Sequence, residues 1–463
     1  MSSTSGKTVD VIIGSPRKDF LETIQSILSG FYPYKLQFFS SVDEILDNSI
    51  EGFNPILALI DGQDGTQKTN EWVQSTKMNY PDCPLIVLHS SAEAALDFNI
   101  VKKNGANEVM HINFDREFIS DMVLQLAPID MEGDAIPITA LMPVDLRDIE
   151  AGININFDVF VHLPANHKSI VLRRAGDVID QRQVEKFKNL RQQMYVKKTQ
   201  TKEFFEYART VMSLRNIPFP ISMTEKFHRS MKTIYDFMGQ FLNGATTDYS
   251  EGKLILDKCK SILVDLELNK DLSAPEIYDE IYRYAGNTRS YYHDCICVAA
   301  YAAYFAQLLE WPAEKREAAG IAGLLHNIGL AQVSAKIAVK EMKDMSPDEK
   351  KEFQRYPERS VNMVKGKKVP ISQEVSDGIL QHRENLKGTG FPKALPADDI
   401  SDFGKLMQVA FNFHELTALR EGIAAMSPAA ALEKMKDNAL VGNGEVDLLM
   451  TTKLSKKFKP AAA

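Results

Sequence analysis

The chain has 463 residues, 44% of them apolar and 25% charged, with a formal charge of −8. That length exceeds one ordinary core and sets an expectation of about two to four domains. The acidic balance argues against broad nucleic-acid binding, which needs a basic face, and the most apolar segment, Cys295–Phe305, falls short of the roughly 18–20 residues of a membrane span.

Cys83, Cys259, Cys295 and Cys297 match neither a zinc nor a disulfide framework and read as reduced core thiols. The N-terminus is polar, without the apolar core of a signal peptide, so the expected location is the cytoplasm. The basic run Lys365-Gly366-Lys367-Lys368 reads as solvated surface.

From the N-terminus, short apolar runs alternate with amphipathic stretches. Val9–Ile13, Lys35–Phe39, Ile56–Ile60, Leu85–Leu88 and Glu108–Ile112 predict strands. Asp19–Leu28, Val42–Leu46, Ala92–Lys103 and Asp115–Leu126 predict helices. This alternation implies a doubly wound α/β domain over 1–128, with ligands expected at the carboxyl ends of the strands, where Asp61 falls. Residues 129–136 read as a linker. A small α+β module is expected over 136–200, with strands at Asn156–Leu163, Ser169–Arg173 and Tyr195–Lys197 and a helix over Gln181–Gln193. Its His162 and His167 read as surface or packing residues. From 201 to 450 the pattern is helical: Lys202–Leu214, a break at Ile217-Pro218-Phe219-Pro220, then Thr224–Leu242, Tyr249–Leu263, Ala274–Tyr284, Tyr292–Leu309 and Ala313–His326. Residues 451–463 read as a tail.

The first domain resembles a response-regulator receiver. The turn Gly105-Ala106-Asn107-Glu108, the strand after it and Phe114-Asp115 match that family, and Asp61 falls on its phosphoacceptor. The magnesium-binding acidic residues fall on Gly14 and Ser15, the switch hydroxyl on His89 or Ser90, the lysine on Ile112 and the following proline on Asn113. Phosphoryl transfer needs a divalent ion to neutralise developing charge, and Asp61 alone supplies too little oxygen ligation. A phosphorylation-independent interaction domain is therefore expected, and the small module resembles an accessory domain found before phosphodiesterase domains.

A metal site buried among helices draws imidazole and carboxylate ligands from facing helices. Two patterned stretches could supply one: His326-Asn327-Ile328-Gly329-Leu330, and His382-Arg383-Glu384-Asn385-Leu386-Lys387-Gly388-Thr389-Gly390-Phe391-Pro392. In order and spacing they resemble the HDIGK and HHExxDGxGYP motifs of HD-GYP domains. These belong to the HD phosphohydrolase superfamily, whose active members use two or three metal ions to hydrolyse cyclic di-GMP. The resemblance covers about residues 225–425. It places His293 on the histidine of the family's first helix, Tyr356-Pro357-Glu358 on an HPE-like motif and Phe411 on a later ligand aspartate.

The departures fall on the ligands. Asn327 replaces the HD aspartate, Leu330 the lysine, Tyr356 a histidine, Arg383 the second histidine of HHE, Lys387 the loop aspartate and Phe411 the late aspartate. Arg289 stands one turn before His293, where active relatives often carry glutamate. Losing a residue that merely orients a ligand costs about 10–100-fold in metal affinity or activity. Losing Asn327, Tyr356, Arg383 and Phe411 as ligands predicts a deficit of about 10⁴–10⁸.

No metal or other cofactor is therefore expected, and no catalytic residues; His293, His326, Asn327, Tyr356, His382, Arg383, Lys387 and Phe411 would mark a vestigial site. Without metal, His326 is expected to be a core histidine bonded to Asn327 or Tyr356, and His382 to pack against the Gly388–Pro392 loop. The expected function is that of a catalytically degenerate regulatory or interaction module in bacterial cyclic di-GMP and two-component signalling, with other signalling proteins as partners. Two alternatives stay open. One is a low-activity phosphodiesterase with iron or manganese at His326 and His382. The other is a receptor that binds cyclic di-GMP without cleaving it, with Arg383 and Lys387, which would share a face if that segment is helical, holding phosphate. Both families commonly self-associate, so a homodimer is a further expectation.

Overall fold

The computed structural model describes residues 9–458 apart from internal stretches, the longer of which are 29–33, 91–94, 128–135, 164–167, 216–222, 266–272, 282–289 and 419–424. Arg289, His167, the 217–220 break and nearly all of the 129–136 linker lie outside the described residues, as does much of the 274–284 helix. The chain divides into two compact units. One comprises 1–89, 98–110 and 116–232; the other comprises 90–97, 111–115 and 233–463.

The first unit holds two sheets. β1 (Val9–Gly14), β2 (Tyr34–Phe39), β3 (Leu57–Asp61), β4 (Leu85–His89) and β5 (Glu108–His111) form one, in the order β2-β1-β3-β4-β5. The pairs β1–β2, β1–β3 and β3–β4 are parallel. Helices fill the crossovers: α1 (Lys18–Leu28), α2 (Val42–Leu46), α3 (Thr66–Asn79), α4 (Phe98–Lys103) and, after β5, α5 (Arg116–Leu126). β3 and β4 are buried at every residue, as continuous apolar runs in a covered parallel sheet should be. The order reverses at β1, so Asp61, ending the adjacent β3, stands at the switch point of the sheet. Gly14 is required here, since a Cβ would lie 2.7 Å from the Ile60 side chain and 2.9 Å from Trp72.

Two differences from the sequence reading have physical causes. α3 was not expected. It is mostly polar, with Trp72 and Val73 its buried hydrophobic residues, so periodicity gives almost no signal. The helix expected over Ala92–Lys103 starts only at Phe98, and Ala95–Asp97 are not helical.

The second sheet is β6 (Leu141–Val144), β7 (Val159–Leu163), β8 (Lys168–Arg173) and β9 (Met194–Lys197), in the antiparallel order β6-β9-β7-β8, with α6 (Gln181–Leu190) before β9. α7 (Thr201–Leu214) closes its core, packing Phe204, Tyr207, Ala208 and Val211 with Phe157, Val159 and Val196.

The second unit is helical. Its elements include α9 (Tyr249–Asp265), α10 (Tyr291–Leu308), α11 (Ala313–Leu325), α12 (Pro347–Phe353), α13 (Tyr356–Gly366), α14 (Gln373–Gln381), α15 (Asp402–Thr417), α16 (Pro428–Asn438) and α17 (Leu448–Phe458), while α8 (Met223–Leu242) spans the division. α10 is apolar on nearly every side and buried along most of its length, the pattern of a central helix. Gly323 lets α11 approach it, because a Cβ there would lie 2.4 Å from the Ala299 Cα. The unit also holds 111–115, where His111 Nε2 lies 2.8 Å from the Ala331 carbonyl and Asn113 Nδ2 donates to the Val333 carbonyl at 2.8 Å. No helix among the described residues is long and apolar enough to cross a membrane.

Candidate functional site

His326 caps the C-terminal end of α11 and His382 that of α14, and both helix ends deliver their histidines into one buried cluster. The two termini work alike. In each, Nδ1 lies 2.7 Å from the carbonyl three residues back, Gly323 for His326 and Ile379 for His382. A carbonyl can only accept, so each ring carries its proton on Nδ1 and presents a lone pair on Nε2. The rings meet edge to face with centroids 4.9 Å apart. Burial pushes the His326 pKa down to about 4 and that of His382 well below its ordinary value, with the Arg383 charge a lesser cause in both.

The two Nε2 atoms differ in their surroundings. That of His382 lies 2.7 Å from the Tyr356 hydroxyl, which donates to it. That of His326 is fully buried, with no hydrogen-bond partner among the described residues. The expected bond from His326 to Asn327 or Tyr356 is therefore corrected: its own helix takes Nδ1, and Tyr356 serves His382 instead. Asn327 is turned elsewhere. Its Oδ1 accepts from the Cys295 thiol at 2.7 Å, and its Nδ2 faces the Tyr291 carbonyl at 3.4 Å. Burial holds the Cys295 pKa far above its usual range, so the thiol keeps its proton and can donate.

Phe411 covers both imidazoles, 5.9 Å from His326 and 5.5 Å from His382 between centroids. Arg383 places its guanidinium carbon 4.5 Å from the Phe411 centroid and 5.0 Å from that of Phe391. Leu330 packs with Val333, Tyr356 and Phe391. His293 stands in the first turn of α10, its backbone N–H capped by Ser290 Oγ at 3.1 Å. Lys387 is exposed on the loop. The shared helical face expected for Arg383 and Lys387 does not form, because α14 stops at Gln381 and the next residues turn.

This donor set does not fit a divalent metal centre. Its ligands would be two neutral imidazoles, one already accepting from a phenol, with a permanent cation beside them and no carboxylate among the partners just described. Among the described residues no three His, Cys, Asp or Glu side chains are grouped to hold a metal ion.

Sequence reasoning missed the residues that shape this cluster through the backbone. The Glu384 carboxylate accepts from the N–H groups of Lys393 at 2.7 Å and Leu395 at 3.0 Å. That grip fixes the loop, where Gly388 has a φ of 69° and a Cβ on Gly390 would lie 2.4 Å from the Glu384 Cα. Ser360 Oγ lies 2.9 Å from the His326 carbonyl and accepts from the Gly329 N–H at 2.8 Å, tying the turn after His326 to α13. Asp294 and His414 pair at 2.8 Å, both buried. Neither Glu384 nor Ser360 gives a sequence signal for this role, since the partners are backbone groups.

At the Asp61 site both carboxylate oxygens are engaged. Oδ2 accepts from the Ser15 hydroxyl at 2.5 Å and from Arg17 at 2.7 Å, and Oδ1 from the Gln63 N–H at 3.0 Å. Arg17 also bridges to Asp64. The guanidinium thus supplies positive charge beside the carboxylate.

The HD domain family model matches residues 271–443, a span containing both histidine stretches. Over 149 residues the chain is 30% identical to the cyclic di-GMP phosphodiesterase PA4108 of Pseudomonas aeruginosa, covering 32% of this chain and 35% of that protein. Residues 271–443 thus carry an HD domain. The chain spans about a third of the length of that curated relative. Bd1817, an HDG"Y"P protein from Bdellovibrio bacteriovorus, has a TM-score of 0.41 at 18% identity over 68% of this chain and 98% of its own. The PgpH HD domain of L. monocytogenes, solved in complex with cyclic-di-AMP, has a TM-score of 0.28 at 12% identity over 36% of this chain and 86% of its own. Within that HD domain, His326 and His382 lie at the heart of the cluster, and Arg383, Tyr356 and Phe411 enclose them.

Proposed function

We propose that this protein is a signalling component whose HD-GYP-type domain has no hydrolytic centre and acts as a regulatory or interaction module in cyclic di-GMP signalling. The observation that carries this reading is the guanidinium of Arg383 held between Phe391 and Phe411 beside the two histidines. A fixed cation there repels a dication, and the Tyr356 hydroxyl occupies the His382 lone pair that would bind it. In the first unit, Arg17 on Asp61 supports a receiver-like domain that works without phosphorylation. The partners of such a module are other signalling proteins.

A second reading, a single iron or manganese ion with weak phosphodiesterase activity, has one observation in its favour. Both histidines anchor Nδ1 on a carbonyl and turn Nε2 inward, the arrangement of a metal-bound imidazole. A hydrolysis assay with cyclic di-GMP, run with added ferrous or manganous ion, separates the two. The silent module gives no linear product above a control without protein. Metal-dependent turnover, lost in His326→Ala, would establish the second reading instead.

A further inference from the structure

Arg383 offers recognition chemistry of its own beside the two histidines. A guanidinium carries five N–H donors in a planar fork. Among the described residues its hydrogen-bond acceptor is the Met342 sulfur at 3.8 Å, a weak one. Phe391 and Phe411 hold the plane in place, and a fork held in this way is pre-organised for two oxygens of one anion.

A second, independent feature belongs to His326, whose ring centroid lies 5.9 Å from that of Phe411. Its Nε2 is a buried lone pair with no donor among the described residues, because the ring proton is committed to the Gly323 carbonyl. A group that suits both features accepts hydrogen bonds at one edge and donates one at another. A phosphate carrying a P–O–H does both. A phosphodiester, a sulfate and a carboxylate accept only.

We propose that Arg383 anchors a binding site for a protonated phosphate group, free phosphate or a phosphate monoester, in preference to a phosphodiester, with His326 accepting the P–O–H. The inference rests on the metal-free reading of the HD-GYP-type domain. No bond is made or broken; the site is a receptor.

The test is calorimetric titration of the full chain near pH 6, where about half of a monoester carries the proton. The probes are inorganic phosphate, glycerol phosphate, sulfate and dimethyl phosphate. Phosphate and glycerol phosphate should bind at least about tenfold tighter than sulfate and dimethyl phosphate. Arg383→Met should weaken phosphate at least about tenfold, and Arg383→Lys by less. His326→Leu should abolish the preference for phosphate over sulfate. Should that variant fail to fold, the wild-type preference still decides the matter.

No saturable binding of phosphate up to about 10 mM, equal binding of sulfate, or indifference to Arg383→Met would overturn the proposal. Iron and manganese content measured on the same sample keeps the two readings apart. A metal-free sample that ignores phosphate overturns the site and leaves the silent module standing. A sample with bound metal and turnover overturns the silent module, and this inference with it.

Discussion

The Tyr356 hydroxyl lies 2.7 Å from His382 Nε2, and both side chains are buried. At a position where the resemblance expects a second metal-binding histidine, a phenol donates to the first. The bond makes the imidazole a structural acceptor.

Tyr356→Phe tests this role. It keeps the ring packed against Phe353 and Phe391 and removes the donor, leaving a buried acceptor unsatisfied. We expect a loss of about 1–3 kcal/mol in urea unfolding. An unchanged midpoint would mean that the bond contributes nothing.

Acid should destabilise the fold early. His111 and His326 are neutral in the folded state, each with its pKa lowered to about 4 by burial, and burial also holds that of His382 well below its ordinary value. In the unfolded chain they titrate near 6.5. Between those values the unfolded state binds more protons, so stability falls as pH falls from about 6.5 towards 4, by up to about 1.4 kcal/mol per pH unit for each histidine. Urea midpoints at a series of pH values measure it; a flat profile from pH 7 down to about 5 would contradict the neutral assignment.

Glu384→Ala removes the acceptor of two backbone N–H groups and should loosen the loop from Lys387 to Leu395. A cost of about 1–3 kcal/mol is expected, with faster amide exchange at Lys393 and Leu395. Unchanged exchange at those two amides would remove Glu384 from this role.

Arg17→Ala leaves Asp61, fully buried, with Ser15 and the Gln63 N–H as its remaining partners. Arg17 is a quarter exposed, so part of its charge is screened. We expect a loss of about 1–3 kcal/mol, smaller than for a fully buried pair. A stabilised variant would mean that Arg17 strains the site.

The centre of the sheet was legible because β3 and β4 are buried on both faces and therefore read as unbroken apolar runs, Leu57–Ile60 and Leu85–Leu88. α3 was not, because a polar helix held by Trp72 and Val73 has no stripe to read. In the helical unit, motif order located His326 and His382. It could not say which nitrogen each ring offers, since that depends on the carbonyls of Gly323 and Ile379. The spacing of Arg383 and Lys387 puts them on one face only in a helix, and that helix ends at Gln381. Glu384 and Ser360 escaped notice because they act on backbone groups, which sequence does not display.

The most direct measurement is the iron and manganese content of the full chain, purified without chelator and with both ions in the growth medium. A silent HD domain predicts less than about a tenth of an ion per chain, unchanged in His326→Ala. About one or two ions per chain, lost in His326→Ala, would contradict it.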